Sequence, residues 1–373
     1  MGASQACFTN AWRRPNTWET SMYGDLLAFF IALFATAGLT VPVRGLALRT
    51  GLVDKPGPRK VHLKPIPLLG GVAIYCGFAL AVLVTSHTTA REQTVSILAG
   101  AALLAVIGFL DDGGMLHHQV KLFVGMPAAA LLLIASGIRS HIISAFVPGE
   151  TGIILDAFLT VLWVVGITAA FSIFDHMDGL CAGIAAIAAL FFTIAANQGG
   201  QVMVRTLGAA ALGAALGFLG WNFKPAKIFM GDGGAMFLGF LMATLGLKLR
   251  PESGDSQAGW LIPILILGVP IFDTTLVSIS RARRGLIPFT SPGKDHTAHR
   301  LSNLGLGQRG AVLVLYALGG FFGSIAILIP LLSPAKAFGL AAVVGLCALV
   351  AIYFLESAPY ERQQKFQKPT AIP

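Results

Sequence analysis

Long apolar runs recur along almost the whole chain and constrain its fold more than any other feature. A run of about 18 apolar residues is long enough to cross a bilayer as a helix. Of the 373 residues, 55% are hydrophobic and only 12% are charged, whereas an ordinary soluble domain has roughly a quarter charged residues. We therefore predict an all-α polytopic membrane protein with about eleven transmembrane helices. The predicted spans are residues 24–43, 70–86, 93–110, 119–137, 154–171, 178–196, 202–219, 234–248, 259–280, 310–331 and 336–355.

Basic residues set the predicted orientation of these helices. The cytoplasmic ends of transmembrane helices carry an excess of Lys and Arg. If the end of the third span faces the cytoplasm, alternate loops hold 18 of the 26 basic residues, and the net charge of +9 needs no nucleic-acid partner. We predict a multi-pass membrane protein with its N-terminus outside and its C-terminus in the cytoplasm. The predicted cytoplasmic segments are residues 44–64, 111–121, 221–233, 281–309 and 357–373.

A single transmembrane domain, residues 24–356, is predicted because no long linker or repeat interrupts the apolar runs. Residues 1–23 form a polar tail, with Met22 as an alternative start, and residues 357–373 form a cytoplasmic C-terminal tail. A GxxxG motif that ends at Gly217 permits close helix packing, either inside the bundle or between the chains of a homodimer.

Aspartates gather on the predicted cytoplasmic face. Acidic residues contribute little to orientation, so their gathering needs another cause, and a shared metal and phosphate site is the simplest one. Carboxylates are costly inside lipid, which makes those near a membrane helix functional-site hypotheses. The residues concerned are Asp54, Asp111, Asp112, Asp175, Asp178, Asp232 and Asp295, with Asp273 inside the ninth span near its cytoplasmic end.

Two adjacent aspartates, Asp111 and Asp112, end the third apolar run. Like charges side by side cost energy unless a cation lies near them. A continuing helix would bring Lys121, about ten residues on, to roughly the same face as Asp111. Gly113 and Gly114 leave that continuation open, and a helix end with solvated carboxylates is the alternative interpretation.

Two further aspartate segments carry phosphate-site patterns. Asp175 and Asp178 are three residues apart, on one face of a helix or turn. Asp232 lies in a glycine-rich turn before a helix, where backbone amides and the helix N-terminus favour a phosphate. A plain tight turn between helices is the alternative for Asp232.

Two basic segments also lie on the predicted cytoplasmic face. The sequence VDKPGPRKVHLKPIPLLGG, residues 53–71, places basic side chains among prolines that keep the backbone extended; it either binds phosphate or only anchors two helices. In the segment 281–309, His296 and His299 have i, i+3 spacing beside three charged residues. Neutral His binds metals and protonated His binds phosphate, and the neighbouring cations favour phosphate. A histidine pair without a role is the alternative.

The five segments, in this order on one predicted face, resemble the polyprenyl-phosphate N-acetylhexosamine-1-phosphate transferase superfamily. The resemblance is carried from about Leu52 to Arg309 by RKVHLKPIPLLGG, FLDDGGMLHHQVK, FDHMDGL, IFMGDGGAMFLG, PIFDTTLVSISR and KDHTAHRL. It is closest to the bacterial branch that uses UDP-N-acetylglucosamine, and it therefore implies a location in the bacterial inner (plasma) membrane. The resemblance implies Mg²⁺, with Mn²⁺ as an alternative, an undecaprenyl phosphate acceptor and a UDP-N-acetylhexosamine donor. The implied reaction releases UMP and forms the first lipid-linked intermediate of a cell-envelope glycan, such as the cell wall or a lipopolysaccharide O-antigen.

The resemblance also implies roles for individual residues. Asp232 matches the aspartate that binds Mg²⁺, and Asp111 either deprotonates or orients the acceptor phosphate. The predicted catalytic residues are Asp111, Asp112, Asp175, Asp178, His296 and His299. The predicted substrate and phosphate contacts are Arg59, Lys60, His62, Lys121, Ser172, Lys294 and Arg300, and the predicted metal ligands are Asp232, Asp112 and Ser172.

The chain departs from the family pattern at several of its motif positions. Family members usually carry asparagines where this chain has Ala169 and Ser172, although the Ser172 hydroxyl still offers an oxygen. His176 stands where Gly or Asn is usual, Ala235 where Ser is usual, and Ala298 where many relatives have a middle histidine.

Three other functions stay open at this point. Within the enzyme class, a phospho-N-acetylmuramoyl-pentapeptide transferase is the nearest alternative. A non-catalytic homologue would bind polyprenyl phosphate without turning it over. A secondary transporter would also place ionisable groups in a helical bundle, but near the bilayer midplane and between related halves.

Overall fold

A computed structural model describes residues 17–54, 65–85, 91–116, 118–250, 258–287 and 293–358, and these are mostly helical. The α-helices are α1 Thr17–Thr50, α2 Gly70–Thr85, α3 Arg91–Asp112, α4 His118–Val120, α5 Met126–Ala135, α6 Glu150–Phe174, α7 Leu180–Gln198, α8 Val202–Asn222, α9 Gly231–Lys248, α10 Leu261–Ile266, α11 Gly268–Arg283, α12 Thr297–Leu301, α13 Gly307–Leu328 and α14 Pro334–Ser357. Short π-helical turns at Lys121–Gly125 and Ser302–Leu306 and a 3-10 turn at Ile329–Leu331 connect some of them.

The helices agree with the predicted apolar spans. Each of the eleven spans overlaps one or more helices, and seven helices among the described residues are long and apolar enough to cross a membrane. Large apolar side chains such as Phe34, Leu346 and Tyr353 are exposed on the outer helices α1 and α14, as a lipid-facing surface requires. The prediction of an all-α polytopic membrane protein is confirmed in class. The number of eleven crossings and the cytoplasmic face stay predictions.

The ninth predicted span, residues 259–280, is divided into α10 and α11 at Leu267. Pro270 lies in the first turn of α11, where the missing N–H of a proline costs no helical hydrogen bond. The break lies on the N-terminal side of Asp273, which keeps this carboxylate inside the regular part of α11.

Helix α9 is the centre of the bundle. It contacts α2, α3, α6, α7 and α8, and its residues 233–246 are all buried. A helix that is apolar on every side is stable only when other helices surround it. Because α9 begins at Gly231, the surrounding bundle fixes the position of Asp232 in its first turn.

The GxxxG motif packs α8 against α1 within the chain. A Cβ atom on Gly213 or Gly217 would overlap the backbone carbonyl oxygens of Phe29 or Leu33 in α1. Small residues at this spacing allow two helix backbones to approach closely. Of the two packing modes predicted for the motif, the one inside the bundle is observed.

A small β-hairpin is a departure from the all-α prediction. Strand β1, Val53–Asp54, pairs antiparallel with strand β2, Ile66–Pro67. The backbone N–H groups of Gly70 and Gly71 then donate to the carbonyls of Phe229 and Met230 at 3.0 and 2.9 Å. Proline disfavours helix and allows extended backbone, which explains the strands. The ends of the proline-rich segment therefore lie beside the turn that precedes Asp232.

Gly108 in α3 makes the closest approach to the start of α9, and its replacement by alanine is expected to destabilise the protein. A Cβ atom there would overlap backbone atoms of Gly233 and lie 2.6 Å from the carbonyl carbon of Asp232. Overpacking of this kind costs about 1–3 kcal/mol, so Gly108→Ala should lower the midpoint of thermal unfolding in detergent. Gly38→Ala is the matched control, because a Cβ at Gly38 meets no neighbour. Equal midpoints for the two variants would contradict the packing described for α3 and α9.

Candidate active site

Asp232 occupies the first turn of α9, after a glycine with a left-handed backbone. Gly231 has a φ of +72°, a conformation that other residues adopt only with strain, and a Cβ there would overlap the carboxylate of Asp112. The backbone N–H of Asp232 donates to the carboxylate of Asp112 at 3.1 Å. The glycine turn therefore joins the ends of α3 and α9 and places two carboxylate-bearing residues together.

Lys121 lies between the carboxylates of Asp111 and Asp232. Its Nζ is 2.7 Å from Asp111 Oδ2 and also forms an ion pair with Asp232. The ammonium group, placed between the two carboxylates, offsets part of the repulsion between them. The predicted proximity of Lys121 and Asp111 is observed.

The backbone route from Asp111 to Lys121 differs from the predicted one. Helix α3 ends at Asp112 rather than continuing, and Gly114 turns the chain with a φ of +69°. Lys121 then begins the π-helical turn that leads into α5. A left-handed glycine commonly ends a helix, so Lys121 reaches Asp111 from the next helical segment and not along the same helix.

Ser172 approaches the same carboxylate from α6. Its hydroxyl donates to Asp232 Oδ1 at 3.1 Å. Ala169, one turn earlier, is buried and offers no polar group. The structure thus brings together five residues that were predicted separately, the oxygen cluster Asp111, Asp112, Lys121, Ser172 and Asp232.

Asp175 and Asp178 follow at the end of α6, next to the oxygen cluster. Removal from water, together with the charges of Asp232, Asp112 and Asp178, raises the pKa of Asp175 to about 8. Asp175 is therefore mostly protonated at neutral pH. Asp178 Oδ2 accepts a hydrogen bond from the backbone N–H of Ala226 at 3.1 Å, so it also holds the segment that leads to α9.

A second group of polar side chains surrounds His296 at the start of α12. The His296 Nδ1 atom is 2.8 Å from Asp273 Oδ2, and the other Asp273 oxygen accepts the backbone N–H of Thr297 at 2.7 Å. The ring of His176 lies 4.2 Å from that of His296 and 4.7 Å from that of His299, centroid to centroid. We call His176, Asp273, His296 and His299 the imidazole cluster.

Arginine side chains brace the loop that carries the imidazole cluster. Arg281 donates two hydrogen bonds to Asp295 at 3.0 and 2.8 Å, and Arg284 forms an ion pair with the same carboxylate. Burial alone would raise the pKa of Asp295, but the hydrogen bonds and charge of Arg281, with those of Arg284, lower it to about 2. Asp295 is therefore a structural anion and is charged at any physiological pH.

Arg300, predicted as a phosphate contact, is part of this bracing instead. It is fully buried and donates to the backbone oxygen of Asp295 at 2.8 Å and to the hydroxyl of Ser280 at 2.9 Å. It also forms an ion pair with Glu356 at 3.2 Å. The guanidinium has these partners and no exposed surface, so the structure gives the phosphate-binding prediction for Arg300 no support.

The remaining predicted contacts are less informative. Arg59, Lys60 and His62 lie outside the described residues. Lys294 is half-buried in the loop before His296.

Two residues of the imidazole cluster were given no individual role in the sequence prediction. Asp273 was named only among the aspartates of the predicted cytoplasmic face, where its position inside an apolar span is the signal that it needs a partner. His176 was noted only as a departure from the family pattern, and no spacing rule connects it to His296, which is far from it along the chain.

Comparison with known proteins gives consistent matches. Residues 94–250 match the model of glycosyl transferase family 4. The chain is 38% identical over 313 residues to a probable undecaprenyl-phosphate N-acetylglucosaminyl 1-phosphate transferase of Bacillus subtilis, covering 83% of this chain and 86% of the relative. It is 33% identical over 327 residues to a decaprenyl-phosphate N-acetylglucosaminephosphotransferase of Mycolicibacterium smegmatis, covering 80% and 79%.

A third relative extends the match to another bacterial group. An undecaprenyl-phosphate alpha-N-acetylglucosaminyl 1-phosphate transferase of Yersinia pestis is 29% identical over 295 residues, which cover 77% of this chain and 79% of the relative. The matches to these three relatives extend over most of the chain, and the family-model match contains Asp111, Asp112, Lys121, Ser172 and Asp232 of the oxygen cluster. The chain therefore belongs to glycosyl transferase family 4, within the polyprenyl-phosphate N-acetylhexosamine-1-phosphate transferases that its sequence motifs resemble.

Proposed function

We propose that the protein transfers N-acetylglucosamine 1-phosphate from UDP-N-acetylglucosamine to undecaprenyl phosphate and releases UMP. The single observation that carries this proposal is the oxygen cluster, in which Asp232 contacts Asp112, Lys121 and Ser172 at the start of α9. The acceptor and the transferred group are those in the names of the Bacillus subtilis and Yersinia pestis relatives, and the UDP-sugar donor is the one that the motif resemblance implies. The product would be the first lipid-linked intermediate of a bacterial cell-envelope glycan.

The chemistry of the oxygen cluster fits Mg²⁺. Mg²⁺ prefers oxygen ligands and is typically held by one or two carboxylates together with substrate phosphates. Asp232 and Asp112 would supply the carboxylates, and the Ser172 hydroxyl is 3.1 Å from Asp232 Oδ1. When bound, Mg²⁺ would neutralise charge on the pyrophosphate of the donor, and Mn²⁺ would suit the same ligands.

The reaction itself is an attack of one phosphate on another. An oxygen of undecaprenyl phosphate attacks the β-phosphorus of the UDP-sugar, the bond from that phosphorus to the bridging oxygen breaks, and UMP leaves with the bridging oxygen. A phosphate monoester has a second pKa near 6 and is already mostly ionised at neutral pH. Catalysis of such a transfer is mostly positioning and charge neutralisation.

The residues of the site divide these tasks between them. Lys121 forms ion pairs with Asp111 and Asp232 and would neutralise phosphate charge, while Asp111 orients Lys121 and the acceptor. His296 and His299 would contact a phosphate from the other side. The positions of the carboxylates at the ends of α3 and α6 and the start of α9 favour an enzyme site at one membrane surface over a transporter site at the midplane. We assign that surface to the cytoplasmic face of the inner membrane, because the basic loops predict that this end of α3 faces the cytoplasm.

Donor competition tests this proposal. Purified protein in detergent is incubated with undecaprenyl phosphate, Mg²⁺ and tritiated UDP-N-acetylglucosamine, and labelled lipid and UMP are measured. We expect both products, with weak competition from unlabelled UDP-N-acetylmuramoyl-pentapeptide. Binding of the donor without labelled lipid would identify a non-catalytic homologue, and preferred use of the pentapeptide donor would identify the muramoyl activity. Either result would overturn the proposal.

The protonation state of Asp175 predicts a pH dependence of metal binding. The pKa of Asp175 is raised to about 8 by its removal from water and by Asp232, Asp112 and Asp178. A nearby divalent cation favours the ionised carboxylate, so below that pKa the cation must displace a proton. The apparent Mg²⁺ affinity should therefore rise with pH up to about 8 and level off above it. Asp175→Asn should remove the part of this rise that lies closest to pH 8, and an unchanged pH profile in that variant would contradict the assignment. Mn²⁺ titration followed by electron paramagnetic resonance provides the measurement.

A further inference from the structure

His176 has two buried ring nitrogens with no role in the proposed reaction. It lies between α6 and α7, three residues before Gly179, and within the described part of the chain neither Nδ1 nor Nε2 has a hydrogen-bond partner. A buried polar group without a partner costs about 1–3 kcal/mol. A bound group that contacts these ring nitrogens would remove that cost.

The neighbours of His176 supply a metal-ligand set. One ligand atom from each of His176, Asp273 and His296 lies within 4.8 Å of the other two. The separations observed are wider than those in a coordinated site, since Zn²⁺ holds nitrogen and oxygen ligands at about 2.0–2.2 Å. Small side-chain rotations would close that gap, and the ring of His299, 4.7 Å from that of His176, lies next to the set.

The protonation state of His176 suits a metal ligand. Burial and the nearby His296 lower the pKa of His176 well below its usual value, so its imidazole is neutral at physiological pH and keeps a free lone pair. Neutral imidazole is the common histidine ligand for metals.

Charge around the cluster is compatible with a cation. Arg281 Nη2 is 3.5 Å from His296 Nε2, but its guanidinium is bound to Asp295 through two hydrogen bonds. Asp273 is buried and faces His296 and the Thr297 backbone N–H. Its negative charge would be partly neutralised by a metal ion.

The identity of the ligands selects the class of ion. Two imidazoles and one carboxylate are typical of Zn²⁺ and other first-row transition metals, whereas Mg²⁺ prefers oxygen ligands only. We propose that His176, Asp273 and His296 form a second metal site, separate from the oxygen cluster, that binds a transition-metal ion of the Zn²⁺ class.

A direct binding experiment tests this site without using the transfer reaction. Tag-free protein, stripped with a chelator and kept in excess Mg²⁺, is titrated with Co²⁺ as a coloured probe, and Zn²⁺ is added in competition. We expect one Co²⁺ per chain with visible absorption bands of low coordination number, and displacement of Co²⁺ by Zn²⁺. His176→Gly and His176→Gln should each weaken Co²⁺ binding by more than about tenfold, since loss of even a group that orients a ligand costs 10–100-fold.

The control variants distinguish this site from other causes of metal binding. His141→Gln removes an exposed histidine between α5 and α6, and Asp232→Asn removes the main carboxylate of the oxygen cluster; both should bind Co²⁺ as the unmodified protein does. Thermal unfolding midpoints establish that each variant is folded. Absence of Co²⁺ binding, equal affinity in both His176 variants and the unmodified protein, or loss of binding in Asp232→Asn but not in the His176 variants would overturn the proposal.

A functional consequence follows if the proposed reaction is also correct. Because His296 would then serve both a phosphate and the transition metal, Zn²⁺ should inhibit sugar-phosphate transfer in the presence of excess Mg²⁺, and His176→Gly should be resistant. This consequence depends on the proposed function, but the Co²⁺ titration does not, so the two can fail separately.

Discussion

Replacement of Asp232 by asparagine is expected to lower the rate of sugar-phosphate transfer by at least about 10²–10³-fold, the loss that follows removal of one charge-stabilising group in other active sites. The carboxylate of Asp232 forms an ion pair with Lys121 and accepts the Ser172 hydroxyl. Asparagine has nearly the same shape but no charge, so it retains the packing of α9 and loses the negative charge proposed to bind Mg²⁺. The initial rate with saturating donor and acceptor, measured over a range of Mg²⁺ concentrations, gives the effect.

The control for Asp232→Asn is a carboxylate away from the site. Glu150 is exposed at the start of α6, and Glu150→Gln should retain the rate of the unmodified protein. Thermal unfolding in detergent should give similar midpoints for both variants. A rate for Asp232→Asn within a few-fold of that for Glu150→Gln would remove Asp232 from the catalytic group.

Loss of the Lys121 ammonium has the second-largest expected effect. Lys121 is the cation shared by Asp111 and Asp232. Lys121→Met therefore removes the ammonium group between these two carboxylates. It also removes the positive charge that we propose neutralises the substrate phosphates. We expect the transfer rate to fall by about 10²-fold or more, comparable with other electrostatic deletions. Because the two carboxylates then repel each other without the shared ammonium group, the pKa of at least one of them should also rise, which shifts the pH dependence of the rate upward.

Two further lysine variants separate charge from geometry. Lys121→Arg keeps the charge but places it on a planar fork of different shape, so it should recover only part of the lost rate. Lys336 is exposed at the start of α14, and Lys336→Met should have no effect. If Lys121→Met and Lys336→Met have equal rates, Lys121 is not part of the reaction.

The helices could be predicted from sequence because lipid imposes one strong rule, that each crossing needs a long apolar run. The same rule could not predict the division between α10 and α11, since the run from Leu261 to Phe272 contains no charged or hydroxyl-bearing residue. Nor could it predict the pairing of β1 with β2, which joins Val53 to Pro67, a residue well separated from it along the chain. The composition of a segment predicts its helices, whereas strand pairing depends on contacts between segments that are separated along the chain.

The site was predicted in part for a similar reason. Charged residues at helix ends are visible in a sequence, and Asp111, Asp232 and Lys121 were found in this way. Burial is not visible, and for that reason Arg300 was assigned to phosphate although it pairs with Glu356 at the end of α14. The contact of His176 with His296 joins residues far apart in the chain, and only the folded bundle reveals it.

One measurement tests the proposed transfer most directly. The protein is given undecaprenyl phosphate, Mg²⁺ and UDP-N-acetylglucosamine that carries tritium in the sugar and ³²P in the β-phosphate. Transfer of the sugar 1-phosphate predicts equal molar amounts of tritium and ³²P in the lipid product, with unlabelled UMP released. Tritium in the lipid with ³²P left in UDP, or neither label in the lipid, would contradict it.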